Sequence, residues 1–255
     1  MFPEGALCRP LRAIAIVAGV AGVLCACSSG GSVRSSATPY PGGGFDPRGV
    51  ALVPSPPAGE TETAFQVASD ALQTLIGSSG GAMQFVSSVT LSGASVVDLL
   101  RVSAAAGVAP AEARSRLMTL GWNWLVGRSA VEVRSGLARE WRVELLSFST
   151  VPGAERYAAA PFLEPAALLA AGAQPPPAGA VPDAALYRAA ASVAVDVGSA
   201  TPAPGERAVL LWRRGRIVAT ASESQTPAGV DLQGLGTVAR VADAELVRVP
   251  GSAAP

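Results

Sequence analysis

Cys25 and Cys27 stand one residue apart in "VLCACSSGGS", Val23 to Ser32, and Cys8 is the only other cysteine. Thiolates so spaced bind soft metals or exchange disulfides, but a four-ligand zinc site needs partners that a chain with no histidine does not supply. The missing histidine, with a complete lack of lysine, also excludes an imidazole-activated serine or cysteine nucleophile and a Schiff-base lysine. "GSSGG", Gly77 to Gly81, matches a nucleophile elbow around Ser79 and, with no base to take its proton, reads as a flexible turn. "GLGTVA", Gly234 to Ala239, fits a loose dinucleotide fingerprint but lies too near the C-terminus for the second strand of a βαβ unit. Carboxylate chemistry remains: Glu132, Glu140, Glu144 and Asp196 fall in expected strands, and an acid and base acting on a glycoside would have to face one cleft. Glu140, Arg142 and Glu144 alternate with Trp141, Val143 and Leu145, the pattern of a half-solvated strand with ion pairs on its wet face. The expectation is a protein without metal or cofactor that binds or scaffolds rather than catalyses; a carboxylate-dependent hydrolase is the weaker alternative.

Five residues make a candidate ligand or partner surface. Trp122 and Trp124, two apart, are expected to share one face of a strand, lining a hydrophobic pocket or packing in a core. Arg213, Arg214 and Arg216, in "RRGR", read either as a dock for anionic headgroups or wall polymers or as a solvated hairpin tip. The formal charge of zero provides no basic field for nucleic acid, and none is expected as a partner.

The beginning of the chain has the form of an export signal. Arg9 and Arg12 flank an unbroken small or apolar run from Ala13 to Leu24, and Ala26 precedes Cys27. As a helix, the stretch from Ala13 to Cys27 reaches roughly 22 Å, short of the roughly 30 Å hydrocarbon layer, so a spanning anchor is the weaker alternative.

"LCAC", Leu24 to Cys27, resembles the lipobox of bacterial lipoproteins. The resemblance implies that Leu24, Cys25 and Ala26 are read by a lipoprotein signal peptidase, and that Cys27 takes a diacylglyceryl group and becomes the new first residue. It further implies attachment to the outer side of the cytoplasmic membrane, with the membrane itself as a partner through the lipid anchor. Cys25 departs from the pattern, since alanine, serine, threonine or valine is more usual there. Two acyl chains on one residue would give a durable attachment where one gives only a marginal one.

Gly, Pro and Ser make up more than half of Ser28 to Pro57, including "PGGGFDP" and "VPSPP", which predicts a flexible tether. The expected organisation is a signal peptide over 1–26, a tether over 27–60, an extracytoplasmic α+β domain over 61–249 and a disordered tail over 250–255. Within the domain, halves 61–173 and 183–249 would be joined by a stiff connector, "QPPPAGAVP".

The elements follow from periodicity and punctuation. Ala64, Phe65, Ala68, Leu72, Leu75 and Ile76 recur at helical spacing behind Glu60 and Glu62. Ala82 to Gly93 reads as extended, and Val96 to Val102 is open between strand and short helix. Pro110 opens a helix closed by Gly121. From Trp122 onward the pattern is strand, turn near Ser135 and Gly136, strand, then helix from about Pro152. It recurs as strand, turn around Arg214 and Gly215, strand, then helix over Asp231 to Glu245. Two strand-strand-helix units predict an α+β fold, an antiparallel sheet with helices on one face. The last unit, with "WRRGRIVATA", is similar to those of exported lipoproteins and sensor-like extracellular domains of actinobacteria. The function expected is therefore that of an envelope lipoprotein binding an apolar small molecule or an envelope protein, or scaffolding a membrane or wall protein.

Overall fold

The computed structural model describes residues 59–79, 83–92, 107–134, 136–193 and 203–253. The leader, Cys27, the tether, the ambiguous segment Val96 to Val102 and Asp196 lie outside the described residues.

Helix α1 (Glu60–Ser78) buries Ala64, Val67, Ala68, Ala71 and Leu72 along one stripe, with Glu60 and Glu62 in its first turn, where the helix dipole favours them. Strand β1 (Met83–Ser92) follows, then α2 (Pro110–Thr119), which starts on a proline whose missing N–H is no loss in a first turn. Gly121, at φ 74°, carries the chain out of α2 into β2 (Trp122–Arg134), and Gly136, at φ 78°, turns it into β3 (Leu137–Phe148). Helix α3 (Val151–Ala159) is capped by Thr150, whose hydroxyl accepts from the Gly153 N–H at 3.2 Å. A short α4 (Ala166–Ala170) leads through the proline-rich segment to β4 (Ala185–Val193). Strands β5 (Ala203–Arg214) and β6 (Ile217–Thr226) come next, then α5 (Leu232–Leu246), whose cap Asp231 accepts from the Gly234 N–H at 2.9 Å.

All pairings are antiparallel and the six strands form one sheet in the order β1-β2-β3-β6-β5-β4. The fold is thus the expected α+β arrangement, with both strand-strand-helix units present. Their inner strands, β3 and β6, pair over ten residues from Ala138↔Thr226 to Ser147↔Ile217, so the units share one sheet.

Helices pack on both faces rather than on one. Helices α1 and α5 cover Trp124, Val126, Trp141, Val143, Leu210 and Trp212. Helices α2, α3 and α4 cover Trp122, Leu125, Leu146, Phe148, Val209 and Leu211. The reason lies in the strands themselves: Ala208 to Trp212 and Ile217 to Ala221 are buried without alternation, and such runs need cover on each side.

Trp122 and Trp124 do not share a face. Trp122 pairs with Phe148 and Trp124 with Ser147, so β2 has an extra residue between them; this bulge turns Trp122 toward α2 and α3, and Trp124 toward α1. Residues 250–253, expected in the tail, pack against the β5–β6 turn. Ser252 is buried, and the Gly251 carbonyl accepts from the Arg216 N–H at 3.0 Å.

Candidate functional site

On the face that carries α2, α3 and α4, the three helices cover only one end of the sheet. The uncovered end shows a row that runs across four strands: Glu140 of β3 opposite Ser224 of β6, Ser224 opposite Arg207 of β5, and Arg207 opposite Ala189 of β4. Arg142 lies one step inward on β3. Together they floor a hollow of about 510 Å³, walled by Pro165, Ala167 and Leu168 beside α4 and by Ala189 to Val193 of β4. That volume is in the range of small-ligand sites.

The charges beneath the hollow form a chain. Arg142 donates to Glu140 at 3.0 Å and to Glu144 at 3.5 Å. Burial opposes its charge, but the carboxylates of Glu144 and Glu140 outweigh burial and hold its pKa above the ordinary arginine value. Arg207 donates to Glu164 at 3.2 Å. Burial raises the pKa of Glu164 in spite of Arg207, with Glu144 adding to the rise. Tyr157, fully enclosed under the same helices, is raised chiefly by burial and then by Glu164 and Glu144. The Arg207 Nε is buried and has no acceptor among the described residues. The site therefore offers the part-exposed side chain of Arg207, an acceptor in Glu140, a hydroxyl in Ser224 and a wall of small apolar groups. Both Glu140 and Glu144 are engaged with the guanidinium between them, which presents no free acid–base pair.

A second hollow, of about 380 Å³, is lined by Arg188, Ala190, Gly205, Glu206, Ala228 and Gly229. Arg188 pairs with Glu206, whose other oxygen accepts from Gly229 N at 3.0 Å and Val230 N at 3.2 Å. The hydrogen bond from Arg188 lowers the Glu206 pKa; burial opposes it, and the Val230 N–H, the Arg188 charge and the Gly229 N–H add to the lowering.

The residues singled out from the sequence go elsewhere. Trp122 is 6% exposed and Trp124 0%, so they pack in the core and line neither hollow. Arg213 pairs with Glu155 at 3.2 Å, Arg214 with Asp243, and Arg216 with Glu60 at 2.8 Å. Each arginine ties the β5–β6 turn to a different helix instead of forming a free basic patch. Ser79 caps α1, its hydroxyl donating to the Ile76 carbonyl at 2.8 Å and accepting from Met83 N at 3.2 Å. Gly234 and Gly236 lie inside α5, where Gly234 leaves room for the Trp141 ring. Glu132 faces the other side of the sheet with Arg134 at 2.5 Å and Arg139 at 3.7 Å. Leu24, Cys25, Ala26 and Cys27 lie outside the described residues. Arg207, Ser224 and the alanines of β4 were not marked by sequence reasoning. The available signal was "YRAAASV", an expected strand built from alanine, a poor strand former whose small side chain leaves space beside it.

Among the described residues no group of three or more acidic, histidine or cysteine side chains is arranged to hold a metal ion. No described helix is long and apolar enough to cross a membrane. No protein-family model matches the chain, and no curated protein matches it. Among solved structures it is similar to the crystal structure of the extracellular domain of PknH from Mycobacterium tuberculosis. That match has 11% sequence identity and a TM-score of 0.44, covering 72% of this chain and 97% of the other.

Proposed function

We propose that the protein is an exported lipoprotein, acylated on Cys27, whose α+β domain binds a ligand outside the cytoplasmic membrane and catalyses nothing. The lipobox-like "LCAC" and the run of glycine, proline and serine behind it support the anchor and tether. The observation that carries the binding role is the 510 Å³ hollow, which sets the side chains of Arg207, Glu140 and Ser224 beside a wall of alanines. The engagement of Glu140 and Glu144 by Arg142 favours binding over hydrolysis.

Native mass spectrometry of the protein extracted from its own membranes tests both parts. The expected result is a mature chain that begins at Cys27 with a diacylglyceryl mass, together with a bound species that Ala191→Trp, which fills the hollow, removes. An unclipped leader or an unmodified Cys27 sulfur overturns the anchor. A bound species that persists in the folded Ala191→Trp variant overturns the site.

A further inference from the structure

Three features of β4 bear on what occupies the hollow. The first is its place: β4 is an edge strand, and its outward main chain is used only at one end. There Leu186 N donates to the Gln174 carbonyl at 3.0 Å, and Gln174 N donates to the Leu186 carbonyl at 2.7 Å. Main-chain groups alternate in direction along a strand, so those of Arg188, Ala190 and Ser192 also point outward. Among the described residues nothing bonds to them, and all three residues are exposed. Among the described residues the chain thus begins a seventh strand at Gln174 and does not extend it along β4.

The second feature is the lining of the hollow. Five consecutive residues, Ala189 to Val193, border it, although side chains one apart belong to opposite faces of a sheet. The hollow therefore reaches the strand's open edge. The third is that the smaller hollow touches the same edge from the other face, through Arg188 and Ala190. A compact small molecule would use one of these spaces. An extended peptide laid along β4 would use both, because its side chains point alternately to the two faces.

Resting on the larger hollow as the binding site, we infer that its ligand is an extended peptide of a partner protein, which adds to β4 as a seventh strand of the sheet. Arg188, Ala190 and Ser192 supply three main-chain donors and three acceptors. An apolar side chain of the peptide lies against Leu168, Ala191 and Val193. The next side chain points past Arg188 and Glu206, whose mutual pairing leaves that space without a net charge. A mixed floor of Arg207, Glu140 and Ser224 suits a chain of alternating carbonyl and amide groups better than a simple anion.

The test uses the full-length protein and an acetylated, amidated peptide of alternating valine and threonine with lysine at each end. Recognition through the main chain tolerates such a generic sequence. Titration followed by amide NMR is expected to show saturable binding, with exchange of the Arg188, Ala190 and Ser192 amides slowed at least tenfold. N-methylation of one alternating set of peptide amides should weaken binding at least tenfold, and methylation of the other set less than twofold. Ala190→Pro, which removes one outward N–H at an edge position where proline is tolerated, should weaken it at least tenfold. No binding at millimolar peptide, or equal effects of the two methylated sets, overturns strand addition. Protection of those amides without peptide also overturns it: dependence on protein concentration marks a second copy, and independence marks a segment of the chain itself. A natural bound species lost in Ala191→Trp but kept in Ala190→Pro leaves the hollow as the site and rejects the peptide strand. One kept in both rejects the two together.

Discussion

Arg216, in the β5–β6 turn, donates to the Glu60 carboxylate at 2.8 Å, joining residues 156 positions apart. Glu60 is almost wholly buried, and the same Arg216 nitrogen reaches the Pro250 carbonyl at 3.3 Å. Breaking a buried pair from one side leaves the other charge without compensation. Arg216→Met, which strands the Glu60 carboxylate, is expected to lower stability by about 3 kcal/mol. Glu60→Gln, which keeps an acceptor, should cost less, and urea unfolding of both variants and their combination measures the difference.

Glu223 gives the protein a pH dependence of definite sign. It is buried on β6, accepts from Asp231 N at 2.6 Å and lies 3.0 Å from Arg139. Burial outweighs Arg139 and the Asp231 N–H and raises its pKa to about 7. An acid whose pKa is higher folded than unfolded adds stability below its unfolded pKa and loses it as pH rises through the folded value. Stability should therefore fall between about pH 4.5 and pH 7, by up to about 3 kcal/mol from this group. Glu164, raised in the same sense, adds to the slope. Glu223→Gln should flatten the dependence measured by urea unfolding at several pH values; an unchanged slope would remove Glu223 as its source.

The bulge in β2 predicts separable effects for its two tryptophans. Trp122→Ala and Trp124→Ala should each cost about 3–5 kcal/mol. Hydrogen exchange should rise first in α2 and α3 for the former, and in α1 and α5 for the latter. The indole nitrogens of both are buried without an acceptor among the described residues, so phenylalanine should be much better tolerated than alanine.

Two helical glycines should respond in opposite directions. A Cβ on Gly234 would lie 2.9 Å from the Trp141 ring and 2.6 Å from the Asp231 carboxylate, and Gly234→Ala should cost about 1–3 kcal/mol through overpacking. A Cβ on Gly77 of α1 meets nothing within 4 Å, and Gly77→Ala should add about 0.5–1 kcal/mol. Thermal unfolding of the two variants provides the comparison.

Local signals in the sequence mark most elements. Pro110 and Gly121 bracket α2, Gly136 and Gly215 make the turns, and the apolar spacing from Ala64 to Leu72 marks α1. What depends on cross-strand register is not legible. The bulge that parts Trp122 from Trp124 is defined only against β3, and covering both faces follows from six strands meeting in one sheet. The larger hollow is not legible for the same reason. Its floor joins Glu140, Arg207 and Ser224 from three strands, and periodicity places each only as a wet position on its own strand.

The hold of one guanidinium on both Glu60 and Pro250 means that the chain enters and leaves the described domain at a single corner, beside Ile217. Ser224, in the floor of the larger hollow, stands seven residues further along β6, roughly 23 Å away at the rise of a strand. A reporter fused after residue 253 would start from the opposite end of β6 and leave the floor of the larger hollow open.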